Sequence, residues 1–440
     1  MRAGSAPSTS ARPRCSPGSR CGSSRSSRGD PLRRGMSRAG PPEYKCSSFT
    51  TTGSMAMAKN VVFCADGTWN GPGENGDAKD GDPSNVFKLY LCLAGQDVLD
   101  AATYRSANEQ ERMLRGGNGA LLQAAKYLHG VGDSDNFLVK VLGGVLGAGV
   151  IARILRGYTF LSRNYEPGDR IFIVGFSRGA YTARALAGLV CAKGLLDARA
   201  HDLTDKQQAY RLAGAVWADY RSLQCEAKGA SWVQRMEDLL DDLPRFFSQG
   251  PEPTLVADVP IEAVAVWDTV GALGIPQYHA ECYRLDLFRF ADTALNAKVK
   301  RGLHCVAIDE QRADFTPTLW TADTPRIEQL LFPGAHADVG GGYPVSDAES
   351  GLSDGALGWM IGKLKAQELC FADPLPLMLA PDALGPAHQP WRKVPWNVLP
   401  HQPREALQAL PRDTSVGQRL GALVRPDPEA PAEAYAPPNL

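Results

Sequence analysis

Several features are missing from this chain, and each absence removes a class of function. Its ten cysteines contain no C-x-x-C pair and no cluster of metal-ligand type, so neither a zinc ribbon nor a dithiol redox motif is present. Net charge is −1, from 47 basic and 48 acidic residues. That balance leaves no global attraction to nucleic acid or to an anionic bilayer. Residues 1–56 are rich in Arg, Ser, Gly and Pro and have almost no aliphatic side chains. They lack the apolar stretch of roughly 7–15 residues that a secretory signal needs. They also cannot bury enough apolar surface to offset their ordering entropy, so a disordered tail is expected there. Cys64, Cys191 and Cys305 sit in apolar or small-residue runs and are expected as buried thiols, which favours a cytoplasmic setting. Nothing in the pattern calls for a metal or a cofactor.

What is present centres on one stretch. Ile171-Phe172-Ile173-Val174 is a short β-branched run that enters Gly175-Phe176-Ser177-Arg178-Gly179, and Ala180 to Leu189 then has good helix composition. Strand, sharp turn with serine, and helix together form the G-x-S-x-G nucleophile elbow of α/β-hydrolases. The turn holds the serine in a strained conformation, and a Cβ at either flanking glycine would collide with the adjoining strand or helix. The helix N-terminus directs N–H groups to where an oxyanion forms.

A nucleophilic serine needs a base and an acid. Ile261 to Trp267 predicts a strand ending in Asp268, and Ile327 to Phe332 predicts another ending in Pro333-Gly334-Ala335-His336. Ser177, Asp268 and His336 therefore occur in the chain order of α/β-hydrolases. His336 would take and return the proton, and Asp268 would fix its tautomer. Asn60 to Ala65 predicts a first strand entering Asp66-Gly67-Thr68, so the N–H groups of Arg178 and of Gly67 or Thr68 are candidate oxyanion donors, with Asp66 holding that loop. The rivals are fewer. His304 stands at the start of an apolar run, His279 lies in a loop, and His201, His388 and His401 are expected at the surface. Asp309 is the alternative acid, and Asp338 could orient His336 or hold the glycine-rich turn.

The fold class expected is α/β, a mostly parallel sheet flanked by helices, over residues 57–372. A helical insertion at about 200–250 is expected to cap the site, and 373–440 is a proline-rich extension. Lys126 to Gly132 predicts a further short strand. Phe137 to Leu155, apolar with many glycines, predicts a buried helix rather than a membrane span.

Four motifs, F-C-A-D-G-T-W-N, G-F-S-R-G-A-Y-T-A-R, V-W-D-T-V-G-A-L-G and P-G-A-H-A-D-V-G-G-G-Y, resemble in this order the catalytic domain of type VI secretion phospholipase effectors. The resemblance covers roughly residues 58–345. It implies Ser177 as nucleophile, with Asp268 and His336 completing the triad, and lipase activity on a lipid or ester substrate. Peripheral membrane contact and a secretion or immunity partner would follow for an effector; no nucleic-acid partner is implied. In those effectors a long membrane-anchoring region follows this domain, whereas here a proline-rich segment follows. Two other classes stay open on the residues alone. One is a non-catalytic α/β-hydrolase-like binding protein. The other is a metal-dependent phosphoesterase built on Asp66, Asp268, His336 and Asp338, which leaves the serine elbow unexplained.

Overall fold

Short runs of β-branched and apolar residues build the sheet of this protein. The computed structural model describes residues 58–67, 82–98, 109–130, 146–227, 252–270, 294–321, 324–345, 348–394, 396–398, 400–404 and 407–440. Among the described residues the strands are β1 (Asn60–Ala65), β2 (Gln96–Asp97), β3 (Glu109–Arg115), β4 (Leu121–Leu128), β5 (Arg170–Phe176), β6 (Leu195–Leu196), β7 (Leu255–Val256), β8 (Ile261–Trp267), β9 (Val299–Ala307), β10 (Ile327–Phe332), β11 (Leu423–Val424) and β12 (Glu433–Ala434). Eight of them form one sheet in the order β10-β9-β8-β5-β1-β4-β3-β2. Pairing is parallel from β10 to β4 and antiparallel at the β4–β3 and β3–β2 edge. The expected tail at 1–56 lies outside the described residues.

Successive strand residues point to opposite faces, and both faces are covered. Val61, Phe63, Ile171, Ile173, Val264 and Val266 join one core with Leu161, Leu186 and Trp217. Val62, Cys64, Phe172, Val174, Phe176 and Trp267 join the other with Leu89, Tyr90, Leu357 and Met360. The first face carries α2 (Leu146–Asn164), α3 (Arg178–Lys193) and α4 (Lys206–Ala227); the second carries α1 (Asn85–Cys92), α5 (His336–Gly340) and α6 (Gly351–Lys365). Gly157 lets α2 approach the sheet closely, since a Cβ there would come within 2.8 Å of the Phe63 ring. The start of the apolar stretch expected as a buried helix, residues 137–145, lies outside the described residues.

The stretch expected to cap the site begins with α4. Its Leu212, Val216, Trp217 and Tyr220 are buried in the core with α2 and α3, and residues 228–251 lie outside the described residues. From the central strand β1 the chain reaches β4 on one side and β5 on the other. In an open α/β sheet that reversal leaves a crevice at the carboxyl ends of the strands. Ser177, Asp66, Asp268 and His336 all follow strands at that end.

Candidate active site

The elbow is built by sterics. Ser177 has φ 58° and ψ −123°, a left-handed backbone for a residue with a Cβ. The two glycines around it are required by contact. A Cβ on Gly175 would lie 2.5 Å from the Gly179 carbonyl oxygen, and one on Gly179 would lie 2.1 Å from that of Ala65. The turn therefore packs strand, serine and helix closer than any other residue permits. The Ser177 N–H donates to the Trp267 carbonyl at 3.2 Å, tying the elbow to the end of β8. Arg178 is the first residue of α3, so its N–H lies in the first turn of that helix, at the positive end of its dipole.

The next residue after β8 is Asp268, also at positive φ (32°) and fully buried. Its Oδ2 lies 2.5 Å from Nδ1 of His336. Its Oδ1 accepts from the Ala307 N–H at 3.0 Å. The two oxygens also accept from Arg404 Nη1 and Nη2, each at 2.8 Å, a bidentate fork. Burial alone would raise the pKa of this carboxyl. The Arg404 guanidinium and the bond to His336 outweigh it and hold Asp268 well below the usual carboxylate range.

His336 opens α5, and its ring is pinned between aromatic neighbours. Its centroid is 4.6 Å from that of Phe176 and 4.9 Å from that of Phe315. The His336 N–H donates to Glu310 Oε2 at 3.2 Å. Nε2 is buried and has no hydrogen-bond partner, so Ser177 and His336 are not joined by a hydrogen bond. Such contacts are often long before substrate binds. Burial pushes the imidazole below its ordinary value of 6.5, and Asp268 offsets part of this. The ring is therefore neutral at neutral pH, with a lone pair on one nitrogen for a proton.

Asp66 follows β1 and is also fully buried. It accepts from Tyr127 Oη at 2.6 Å and from Ser84 Oγ at 2.7 Å, and Ser84 caps α1. Its Oδ1 takes the Gly67 N–H at 2.7 Å. Gly67, expected as an oxyanion donor, thus spends that N–H on the loop itself. Thr68 lies outside the described residues. Burial raises Asp66 to about 7 despite these donors.

The rival residues have other work. Asp309 accepts from the Tyr435 hydroxyl at 2.9 Å and from the Gly334 N–H at 2.7 Å. Asp338 caps α5 through the Ala335 N–H at 2.8 Å and meets His388 Nδ1 at 2.6 Å, so it holds the glycine-rich turn. His304 accepts the Thr269 N–H and faces Gln329; burial drives it down to about 4. His279 lies outside the described residues. His201 and His388, expected at the surface, are 8% and 6% exposed. The reason is polar anchoring: His201 accepts the Thr254 N–H, and His388 is held by Asp338 and Glu349. Of the four residues considered for a metal, Asp268 and His336 meet, while Asp66 serves Tyr127 and Ser84 and Asp338 serves His388; among the described residues no three such side chains are placed to hold an ion. Arg404 and Glu310 carry no motif in sequence; only the fold brings them to the site.

The family model described as "T6SS, Phospholipase effector Tle1-like, catalytic domain" matches residues 59–363. "Uncharacterized protein YEL023C" of Saccharomyces cerevisiae is 25% identical over 303 residues, 68% of this chain and 39% of that protein. An uncharacterized protein from Pseudomonas aeruginosa, solved by crystallography, aligns over 73% of this chain and 47% of its own at 15% identity, with a TM-score of 0.37. The Tle1 effector bound to the VgrG spike from the type 6 secretion system aligns over 69% of this chain and 57% of its own at 16% identity, with a TM-score of 0.32. The chain thus spans under two thirds of each of these proteins. Among the described residues no helix is long and apolar enough to cross a membrane. With 59–363 of its 440 residues matched, this chain belongs to the Tle1-like phospholipase effector catalytic domain family.

Proposed function

We propose that this protein is a serine ester hydrolase of phospholipase type, using Ser177, His336 and Asp268 as a triad. Ser177 Oγ attacks the ester carbonyl carbon while its proton passes to His336 Nε2. The N–H of Arg178, with a donor from the loop that contains Thr68, takes the developing oxyanion. Collapse expels the alcohol or lysolipid, which leaves with the proton from His336. Water, deprotonated by the same nitrogen, then releases the acid from the acyl-enzyme. Asp268 holds Nδ1–H, which leaves Nε2 as the base.

The observation that carries this reading is the pairing of two constraints. The elbow forces Ser177 into a strained backbone at a helix start, and Asp268 occupies Nδ1 of a buried neutral imidazole whose Nε2 has no other partner. A binding protein gains nothing from either. The test is labelling with a fluorophosphonate probe. Wild type is expected to label and Ser177→Ala is not; mass spectrometry should find the adduct on Ser177. Hydrolysis of phospholipid vesicles against a short p-nitrophenyl ester then sorts lipid from general ester. An adduct elsewhere, or equal labelling of both proteins, would sink the triad.

A further inference from the structure

Asp268 has a partner that this mechanism leaves unused. Arg404 comes from the C-terminal segment, outside the family match at 59–363. Its side chain is 3% exposed, and it meets Asp268 with both guanidinium nitrogens at 2.8 Å. The same nitrogens donate to the Ala307 carbonyl at 2.7 Å and the Phe315 carbonyl at 2.6 Å. The fork fixes the plane of the carboxylate, and the two backbone acceptors fix the fork. Oδ2 is left aimed at His336.

We propose that Arg404 is a positioning residue for ester hydrolysis, fixing Asp268 toward His336 and setting the acidity at which His336 can act as base. The inference rests on the triad proposed above. The electrostatic argument is direct. An isolated buried aspartate would stabilise the imidazolium strongly and make the dyad hold its proton to high pH. Arg404 compensates that charge, so the dyad releases its proton earlier. The other groups facing His336 are few. Glu310 and Arg312, from the loop after β9, pair with each other at 2.7 Å. Ser177 stands at the elbow. Asp338, on the same short helix, is engaged by His388. Arg404 is thus the cation that acts on the acid of the pair itself. The plainer view is that Arg404 only staples the C-terminal segment to the domain. That view predicts a stability loss with no change in the pH profile of the folded enzyme.

The experiment uses the full chain and follows kcat/KM against pH on a p-nitrophenyl ester for wild type, Arg404→Lys and Arg404→Met. In Arg404→Met the acidic limb is expected to move up by about one pH unit, whichever of Asp268 and His336 holds the extra proton. Arg404→Lys keeps the charge and loses the fork, so its limb stays near wild type while kcat falls about tenfold. A folded Arg404→Met enzyme whose limb does not move overturns the inference. If Arg404→Met does not fold, Arg404→Lys decides: wild-type kcat in the folded variant overturns it, and a tenfold loss with an unmoved limb supports it. Fluorophosphonate labelling of wild type keeps the two readings apart. An unlabelled wild type overturns both; a labelled wild type with an unmoved limb overturns the role of Arg404 alone.

Discussion

The end of β1 and the end of β8 each place an aspartate, wholly buried, at the carboxyl ends of parallel strands in one sheet, and the two meet opposite fates. Asp66 takes its hydrogen bonds from neutral donors, Tyr127, Ser84 and the Gly67 N–H, while the Arg153 guanidinium acts on it only through space, and burial lifts it to about 7. Asp268 suffers the same burial but faces Arg404 and His336, and is held far below the usual range. Hydroxyls stabilise an anion by hydrogen bonding; a guanidinium adds a full counter-charge in a low-dielectric setting. Only the second kind of site keeps a carboxylate charged well below neutral pH. Position at a strand end therefore nominates an acid, and its counter-charge selects it.

The largest effect expected is at Ser177 and His336, the proposed nucleophile and base. Ser177→Ala and His336→Ala should each lower kcat by about 10⁶, and the double variant should lose little more, because the two act as a unit. Single-turnover assays on the short ester check this; activity within tenfold of wild type in either variant would remove that residue from the triad.

The two aspartates come next. Asp268→Asn should lower kcat by roughly 10³–10⁴, since an amide cannot favour the productive tautomer. It also strands Arg404, which has 3% of its side chain exposed, and loss of a buried partner costs about 3–5 kcal/mol. Asp66→Asn keeps one acceptor for Tyr127 and Ser84. It should cost about 1 kcal/mol and leave kcat within tenfold. Denaturant titration of both variants at pH 7, beside their rates, measures the contrast. Similar losses at the two sites would mean that Arg404 does not separate them.

The contrast also marks what the sequence made legible. The elbow, β1, β8 and β10 were visible because strands buried on both faces are unbroken apolar runs, and because Gly175 and Gly179 have no substitute. Asp268 and His336 followed from strand ends. β3 is not legible in the sequence, and its residues show why: Glu109-Gln110-Glu111-Arg112 has no apolar alternation. Its acids are satisfied by Lys126, Arg156 and Arg163, which lie 15 to 52 residues away in sequence. His388 looked like a surface residue for the same reason, since its partners Asp338 and Glu349 come from another part of the chain. Arg404 was invisible too. A proline-rich segment shows no periodicity, and nothing local distinguishes a guanidinium that will meet an aspartate 136 residues away. Patterns set by burial are local; ion pairs that select among candidate acids are not.

The smallest effect should be at Asp309, the aspartate after β9 that competed for the role of acid. It is half-buried against Tyr435 and Gly334, and loss of hydration there raises it to about 6, above its ordinary 3.8. For a carboxyl raised in the folded state, the stabilising contribution is fully present below the unfolded value. It is lost as pH rises through about 6. Asn removes that slope. Asp309→Asn should therefore cost more at pH 4 than at pH 7, where the loss should stay within about 1 kcal/mol and hydrolysis should be near wild type. Asp268 is lowered, so its sign is reversed. Its contribution is present above the unfolded value and fades as pH falls through the folded one, and Asp268→Asn should cost most at neutral pH. Urea titrations of both variants at about pH 3 and pH 7, which bracket the unfolded value of both carboxyls, give the two slopes. Slopes of the same sign would show that the counter-charge from Arg404 is not what divides these acids. A dead Asp309→Asn enzyme beside an active Asp268→Asn one would move the catalytic acid to the neighbouring strand.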